Sequence, residues 1–200
     1  MSLTPHILIL AAGSASRMRG ADKLTEMIDG TPQLARITQA ALATGCPVTV
    51  ALPPDRPARA ATLTGLPVSL VTVTDPQRGM AESLKQGLRA LPADAPLMLL
   101  LADLPEIDAA DLRHMVKMCA QSPTAILRAT AADGSPGHPV CFPPDLRAEL
   151  DALAGDEGAR AVLMRHKDRV RAVALPARHA ITDLDTPEDW ATWRAARSAP

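Results

Sequence analysis

The chain has 200 residues, 21 Lys and Arg against 22 Asp and Glu, a formal net charge of −1 and 47% hydrophobic content. That length and apolar fraction suffice for one buried core, so a single domain over 1–200 is expected. Balanced charge without runs of one sign excludes a polyanion-binding surface, and 2% aromatic residues with no Tyr remove the stacking platforms of nucleic-acid binders.

The first element in chain order is the apolar run HILILAA at 6–12. It is far shorter than the ~20 residues of a membrane span and follows no basic leader, which predicts a cytoplasmic protein without a membrane partner. Further runs rich in Val, Ile and Leu lie at 47–53, 67–73, 96–102 and 124–130. Their apolarity is continuous rather than alternating, the pattern of strands covered on both faces. Leu34, Ile37, Ala41 and Leu42 recur at helical spacing between them, as do Leu84, Leu88 and Leu91, then Leu112, Met115, Val116 and Cys119. Strand alternating with helix predicts a doubly wound, Rossmann-like α/β fold with a mainly parallel sheet. The Pro-rich stretch at 52–59 reads as a loop after the second strand. Later, 138–142 and 169–176 read as strands, 144–153 and 157–165 as helices, and 187–197 as a closing helix with Pro187 in its first turn. Cys46, Cys119 and Cys141, odd in number and far apart, read as buried reduced thiols, and the five His form no metal-ligand spacing.

Ligands of doubly wound sheets bind beyond the carboxyl ends of the strands. The first run stops at AAGSASRMRGADK, where small residues let backbone N–H groups approach an anion and Arg17 and Lys23 supply charge to phosphates. Arg19 reads as solvated. The segment has neither P-loop spacing nor G-x-G-x-x-G, which disfavours a dehydrogenase. Asp103 closes the fourth run, five residues before the helix expected to start at Asp108 or Ala109, and its carboxylate is the hard oxygen ligand that Mg²⁺ prefers. In ITDLDTPEDW, Thr186 as N-cap and Pro187 at the first turn explain part of the pattern. They leave Asp183 and Asp185, which on a short strand point to opposite sides, one of them toward the site. Trp190 and Trp193 read as packing of the closing helix.

Six stretches in order, LAAGSASRMRGADKL, RGMAESLKQGL, LLADLPEI, GHPVCF, GDEGAR and DLDTPEDW, resemble the MobA-like nucleotidyltransferases, and within them the molybdenum cofactor cytidylyltransferases. The resemblance implies that the loop of Ala11, Ala12, Gly13, Ser14, Ala15 and Ser16 binds the nucleotide through its backbone. It puts Arg17 on the phosphates, Lys23 near the transferred phosphate, Gly79 and Ser83 along the base, and Mg²⁺ on Asp103 and Asp185. His138 and Arg160 then face the acceptor, although a structural His138 and an Arg160 paired with Asp156 or Glu157 explain those residues as well. The implied reaction is transfer of CMP from CTP to the terminal phosphate of molybdopterin, with pyrophosphate expelled and a molybdoenzyme or its chaperone as client. A transferase using GTP or another nucleotide with a different phosphorylated acceptor, and a non-catalytic handling partner for the molybdenum cofactor, stay open beside it. Thr25, Glu26, Gln33 and Glu82 depart from the family pattern.

Overall fold

The structure, a computed structural model, describes residues 4–14, 16–153 and 158–198. The first apolar run forms β1 (His6–Leu10), followed by a hairpin of β2 (Met27–Ile28) and β3 (Thr31–Pro32). Its turn residues Asp29 and Gly30 both have positive φ, 50° and 81°, as the Asp-Gly type I′ turn requires. Then come α1 (Gln33–Leu42), β4 (Val48–Leu52), α2 (Pro57–Ala61), β5 (Ser69–Thr72), α3 (Met80–Arg89), β6 (Leu97–Leu101) and α4 (Ala109–Gln121). The remainder forms β7 (Ile126–Thr130), β8 (Pro136–Phe142), α5 (Arg147–Asp151), α6 (Arg160–Arg165), β9 (Val170–Ala174) and α7 (Pro187–Ser198).

Seven strands make one sheet in the order β5-β4-β1-β6-β8-β7-β9. All run in one direction except β8, which pairs antiparallel with both β6 and β7. This is the expected α/β architecture with a mainly parallel sheet, and the central strands explain the unbroken apolar runs. On β1, Ile7 and Ile9 pack into a core with Leu34, Ile37, Leu112 and Met115, while Leu8 enters the opposite core with Leu84, Leu88, Val140 and Phe142. Each fully buried aliphatic side chain contributes roughly 1.5–3 kcal/mol, so both faces must be filled. Two glycines permit the closest approaches. A Cβ on Gly87 would lie 2.7 Å from the Leu8 methyls, where α3 crosses β1, and one on Gly137 would lie 2.0 Å from Ala180 O.

Three expectations are corrected. The run at 67–73 is not a buried strand: β5 is a sheet edge with one neighbour, and Leu70 is 50% exposed. The stretch at 52–59 is not wholly loop, because α2 starts at Pro57, a residue whose fixed φ suits a first turn. Asp183 and Asp185 lie on irregular chain rather than a strand, and neither belongs to a strand of the sheet. The helix expected over 157–165 begins at Arg160; residues 155–157, the first half of GDEGAR, lie outside the described residues. All three thiols are buried, and burial raises the Cys46 and Cys141 pKa values. Among the described residues no helix is long and apolar enough to cross a membrane.

Candidate functional site

A cleft of about 740 Å³ opens where β1, β4 and β6 end. The Ala11 N–H makes a last sheet bond to Ala51 O at 2.9 Å, and the Ala102 N–H bonds Leu10 O at 3.2 Å. Past that point the chain leaves the sheet, and among the described residues nothing takes up the N–H groups of Ala12, Gly13 and Ser14. All three residues line the cleft, with Ala11 beside them. Ala15 and the Ser16 side chain lie outside the described residues. Ser16–Met18 form a single 3₁₀ turn that carries Arg17 over the cleft mouth, its side chain 69% exposed.

Lys23 organises the charges in the cleft. Its Nζ donates to Asp103 Oδ2 at 2.6 Å and to Asp185 Oδ1 at 2.7 Å, while Arg17 Nη2 reaches the other Asp185 oxygen at 2.7 Å. Burial alone would lower the lysine's pKa, but the Asp103 and Asp185 carboxylates outweigh it and the net shift is upward. Each carboxylate is positioned by a separate device. Asp103 follows β6 directly, and the preceding Ala102 carbonyl accepts from the buried Gln33 Nε2 at 2.9 Å. Gln33, one of the departures from the family pattern, thereby anchors the strand end that presents Asp103. Asp185 precedes α7, where the Asp189 carboxylate accepts from the Asp185 and Thr186 N–H groups and Thr186 Oγ1 accepts from the Asp189 N–H. This reciprocal capping bears out Thr186 as N-cap. The helix is held down by Trp190, 3% exposed, packed against Met18, Ile28 and Leu184. Asp183 is exposed and stays out of the cleft.

The donor set suits a small hard cation. Two carboxylates from distant parts of the chain already converge on one ammonium, and among the described residues they belong to no cluster of three or more protein ligands. Magnesium is characteristically held by one or two carboxylates, with substrate phosphates and water supplying the rest.

Gly79 and Ser83 lie on the opposite wall, Gly79 at φ 91° before α3 and Ser83 buried on its first turn. Glu82, another departure from the family pattern, accepts from Gln86 Nε2 at 2.8 Å and does not line the cleft. Arg19 bears out the solvated reading, 71% exposed and paired with the exposed Glu188. His138 and Arg160 are not brought into the cleft. The antiparallel direction of β8 sets His138 in the neighbouring wall, with its Nδ1 buried and unpartnered among the described residues. An imidazolium there would strand a buried N–H, and burial, then Arg128, push its pKa down to about 4. Arg160 opens α6 on the surface, where its charge lowers the pKa of the already desolvated Arg128.

Arg56 and Arg59 line the cleft and escape the sequence reading. From the Pro-rich stretch they reach under the loop after β1, and Asp22, which is not part of the cleft lining, pairs with both. Their signal was positional, because 53–59 leaves the end of β4 as Asp103 leaves the end of β6.

A family model described as a MobA-like NTP transferase domain matches residues 7–170. Among solved structures, Rv0371c from Mycobacterium tuberculosis H37Rv is 27% identical with a TM-score of 0.83, covering 98% of this chain and 99% of that one. A manganese complex of Rv0371c matches at 25% identity and a TM-score of 0.79, covering 98% and 100%. A Methanothermobacter nucleotidyl transferase, 22% identical with a TM-score of 0.75, covers 96% of this chain and 97% of its own and shares the fold. No curated protein matches the chain.

Proposed function

The chain belongs to the MobA-like NTP transferase domain family, and on that premise we propose that it transfers CMP from magnesium-bound CTP to the terminal phosphate of a molybdopterin-type acceptor. The observation that carries the transfer chemistry is Lys23 held between Asp103 and Asp185 inside a cleft lined by the loop after β1. An acceptor phosphate oxygen bonds to the α-phosphorus as the bond to the bridging β-phosphate oxygen breaks, so one P–O bond forms for one lost and pyrophosphate leaves. Such transfers need positioning and charge neutralisation rather than a protein nucleophile.

In this reading the Ala12, Gly13 and Ser14 N–H groups bind phosphate oxygens, with Ala11, Ala15 and Ser16 completing the loop. Arg17 and Lys23 offset the charge that grows on the leaving pyrophosphate. Asp103 and Asp185 would hold the divalent ion, which supplies charge neutralisation at the α-phosphate. The manganese complex of Rv0371c supports the use of a divalent ion. Gly79 and Ser83 flank the base. His138 and Arg160 face the acceptor together with Arg128, and His138, neutral at pH 7, contributes hydrogen bonding rather than charge. The molybdopterin acceptor and a molybdoenzyme or chaperone client rest on the GHPVCF and GDEGAR stretches.

The test is pyrophosphate release from CTP, GTP and ATP, with Mg²⁺ or Mn²⁺ and with or without molybdopterin. CTP turnover that needs both the ion and the acceptor is expected. Preference for GTP overturns the CMP assignment, and release from none of the three nucleotides overturns the transfer.

A further inference from the structure

The largest fully buried side chain of the protein is not apolar: Arg59, on the five-residue α2, is 0% exposed. Its guanidinium is used almost completely. Nη1 donates to Ala11 O and Gly13 O, at 2.5 and 2.8 Å. Nε and Nη2 grip the two oxygens of Asp22, at 2.7 and 3.0 Å. Burial alone would raise the Asp22 pKa, but Arg59 outweighs it and holds the carboxylate charged. Arg56 extends the same grip, with Nη2 on Ser14 O at 2.6 Å and Nη1 on Asp22 at 3.4 Å.

The consequence follows from peptide geometry. In a trans peptide the carbonyl of one residue and the N–H of the next point in opposite directions. Holding the Ala11 and Gly13 carbonyls on Arg59 therefore aims the Ala12 and Ser14 N–H groups away from it, and both residues line the cleft. Left to itself a glycine-containing loop would sample many orientations, and each ordered residue costs roughly 1–2 kcal/mol of conformational entropy. A planar fork with donors in fixed directions removes that freedom before ligand arrives, which a lysine's point charge cannot do. The acid that neutralises the fork, Asp22, is the neighbour of Lys23, so the same contact also sets where the lysine leaves the chain.

We propose that Arg59, assisted by Arg56, is the positioning residue that presents the N–H groups of the loop after β1 to the nucleotide phosphates, a role that rests on the nucleotidyl-transfer reading above. Arg59 touches no reacting atom; it acts through the loop. A purely packing role predicts fewer folded molecules with unchanged affinity per molecule, whereas a positioning role predicts weaker nucleotide binding in molecules that are folded.

The experiment measures the Kd of Mg²⁺-NTP by calorimetric titration, with KM and kcat in the transfer assay, for wild type, Arg59→Lys and Arg56→Ala. Arg59→Lys keeps the charge facing Asp22 and loses the fork. It is expected to raise the NTP Kd and KM by ~10-fold or more, about 1.4 kcal/mol, with kcat and the acceptor KM changing by less than roughly 3-fold. Arg56→Ala, which frees one carbonyl, shifts the NTP Kd in the same direction by a smaller factor. A wild-type NTP Kd in Arg59→Lys, or a loss of active fraction with both KM values unchanged, overturns the proposal while leaving nucleotidyl transfer intact. Should Arg59→Lys not fold, the exposed-side Arg56→Ala decides, and an unchanged NTP Kd there overturns it. A wild-type protein that binds none of CTP, GTP or ATP overturns the functional reading itself, and this inference with it.

Discussion

The two halves of the sheet are built to different degrees of completion. On the nucleotide side, β5, β4, β1 and β6 run parallel, and the phosphate-side groups converge on one cleft with their charges paired: Lys23 with Asp103 and Asp185, Arg59 with Asp22. On the side expected to meet the acceptor, β8 reverses direction, His138 keeps a buried nitrogen that is unpartnered among the described residues, and the Arg160 charge lowers the pKa of the desolvated Arg128. In the proposed reading a triphosphate presents the same charges whatever base it carries, and the cleft offered to it is closed by internal ion pairs in advance.

Removing one of the two carboxylates proposed to hold the ion should have the largest consequence. Asp103→Asn is expected to lower divalent-dependent pyrophosphate release on the order of 10²- to 10³-fold, with thermal unfolding little changed. Near-normal turnover would take Asp103 out of the metal site. Lys23→Ala should lower kcat more than NTP affinity, because its charge matters most as pyrophosphate departs.

The two halves also differ in how closely they are packed. Gly137→Ala drives a Cβ to 2.0 Å from a backbone carbonyl, Ala180 O, and should cost about 3 kcal/mol or more in urea unfolding. Gly87→Ala meets only the end of the Leu8 side chain, at 2.7 Å, and Ala is about 1 kcal/mol better than Gly inside a helix. A loss of roughly 1 kcal/mol is expected there. Equal losses at the two sites would erase the distinction between a rigid and a yielding contact.

Acid should reach the acceptor side at His138. Its folded pKa of about 4 lies below the ordinary histidine value of 6.5, so the unfolded state binds more protons as pH falls and stability falls with it. The loss begins below pH 6.5, reaches roughly 2 kcal/mol by pH 5, and levels off below the folded value. His6, also lowered, by burial and then Arg147, has the same sign. His138→Gln should therefore flatten, not abolish, the decline between pH 7 and 5 followed by urea titration.

The smallest effect is expected at Arg19. It sits at φ 51°, a backbone conformation that costs a non-glycine residue roughly 1–2 kcal/mol, and makes one exposed ion pair. Arg19→Gly should leave turnover unchanged and thermal stability equal or slightly higher. A drop in turnover would place Arg19 with Arg17 and Lys23 at the phosphates.

Much of the fold was legible because its signals are local. The continuous Val, Ile and Leu of β1, β4 and β6 could only be strands covered on both faces, and the Leu34, Ile37, Ala41 spacing could only be a helix against one of them. β5 misled because an edge strand can be as apolar in composition as a central one; neighbours, not residues, decide burial. Arg59 was invisible because a buried arginine is defined by partners 37 to 48 residues away.

The sequence by itself determined the alternation of strands and helices, the loop of small residues at the end of β1, and the acids placed after β6 and before α7, because each is a short-range pattern of size, charge or capping. Only the tertiary structure decided that Asp103 and Asp185, 82 residues apart in chain number, share one lysine, that Arg59 lies beneath the loop, and that His138 stays outside the cleft and neutral. Those outcomes depend on strand order and direction, which bring distant residues into a common dielectric and a common geometry that no local pattern encodes.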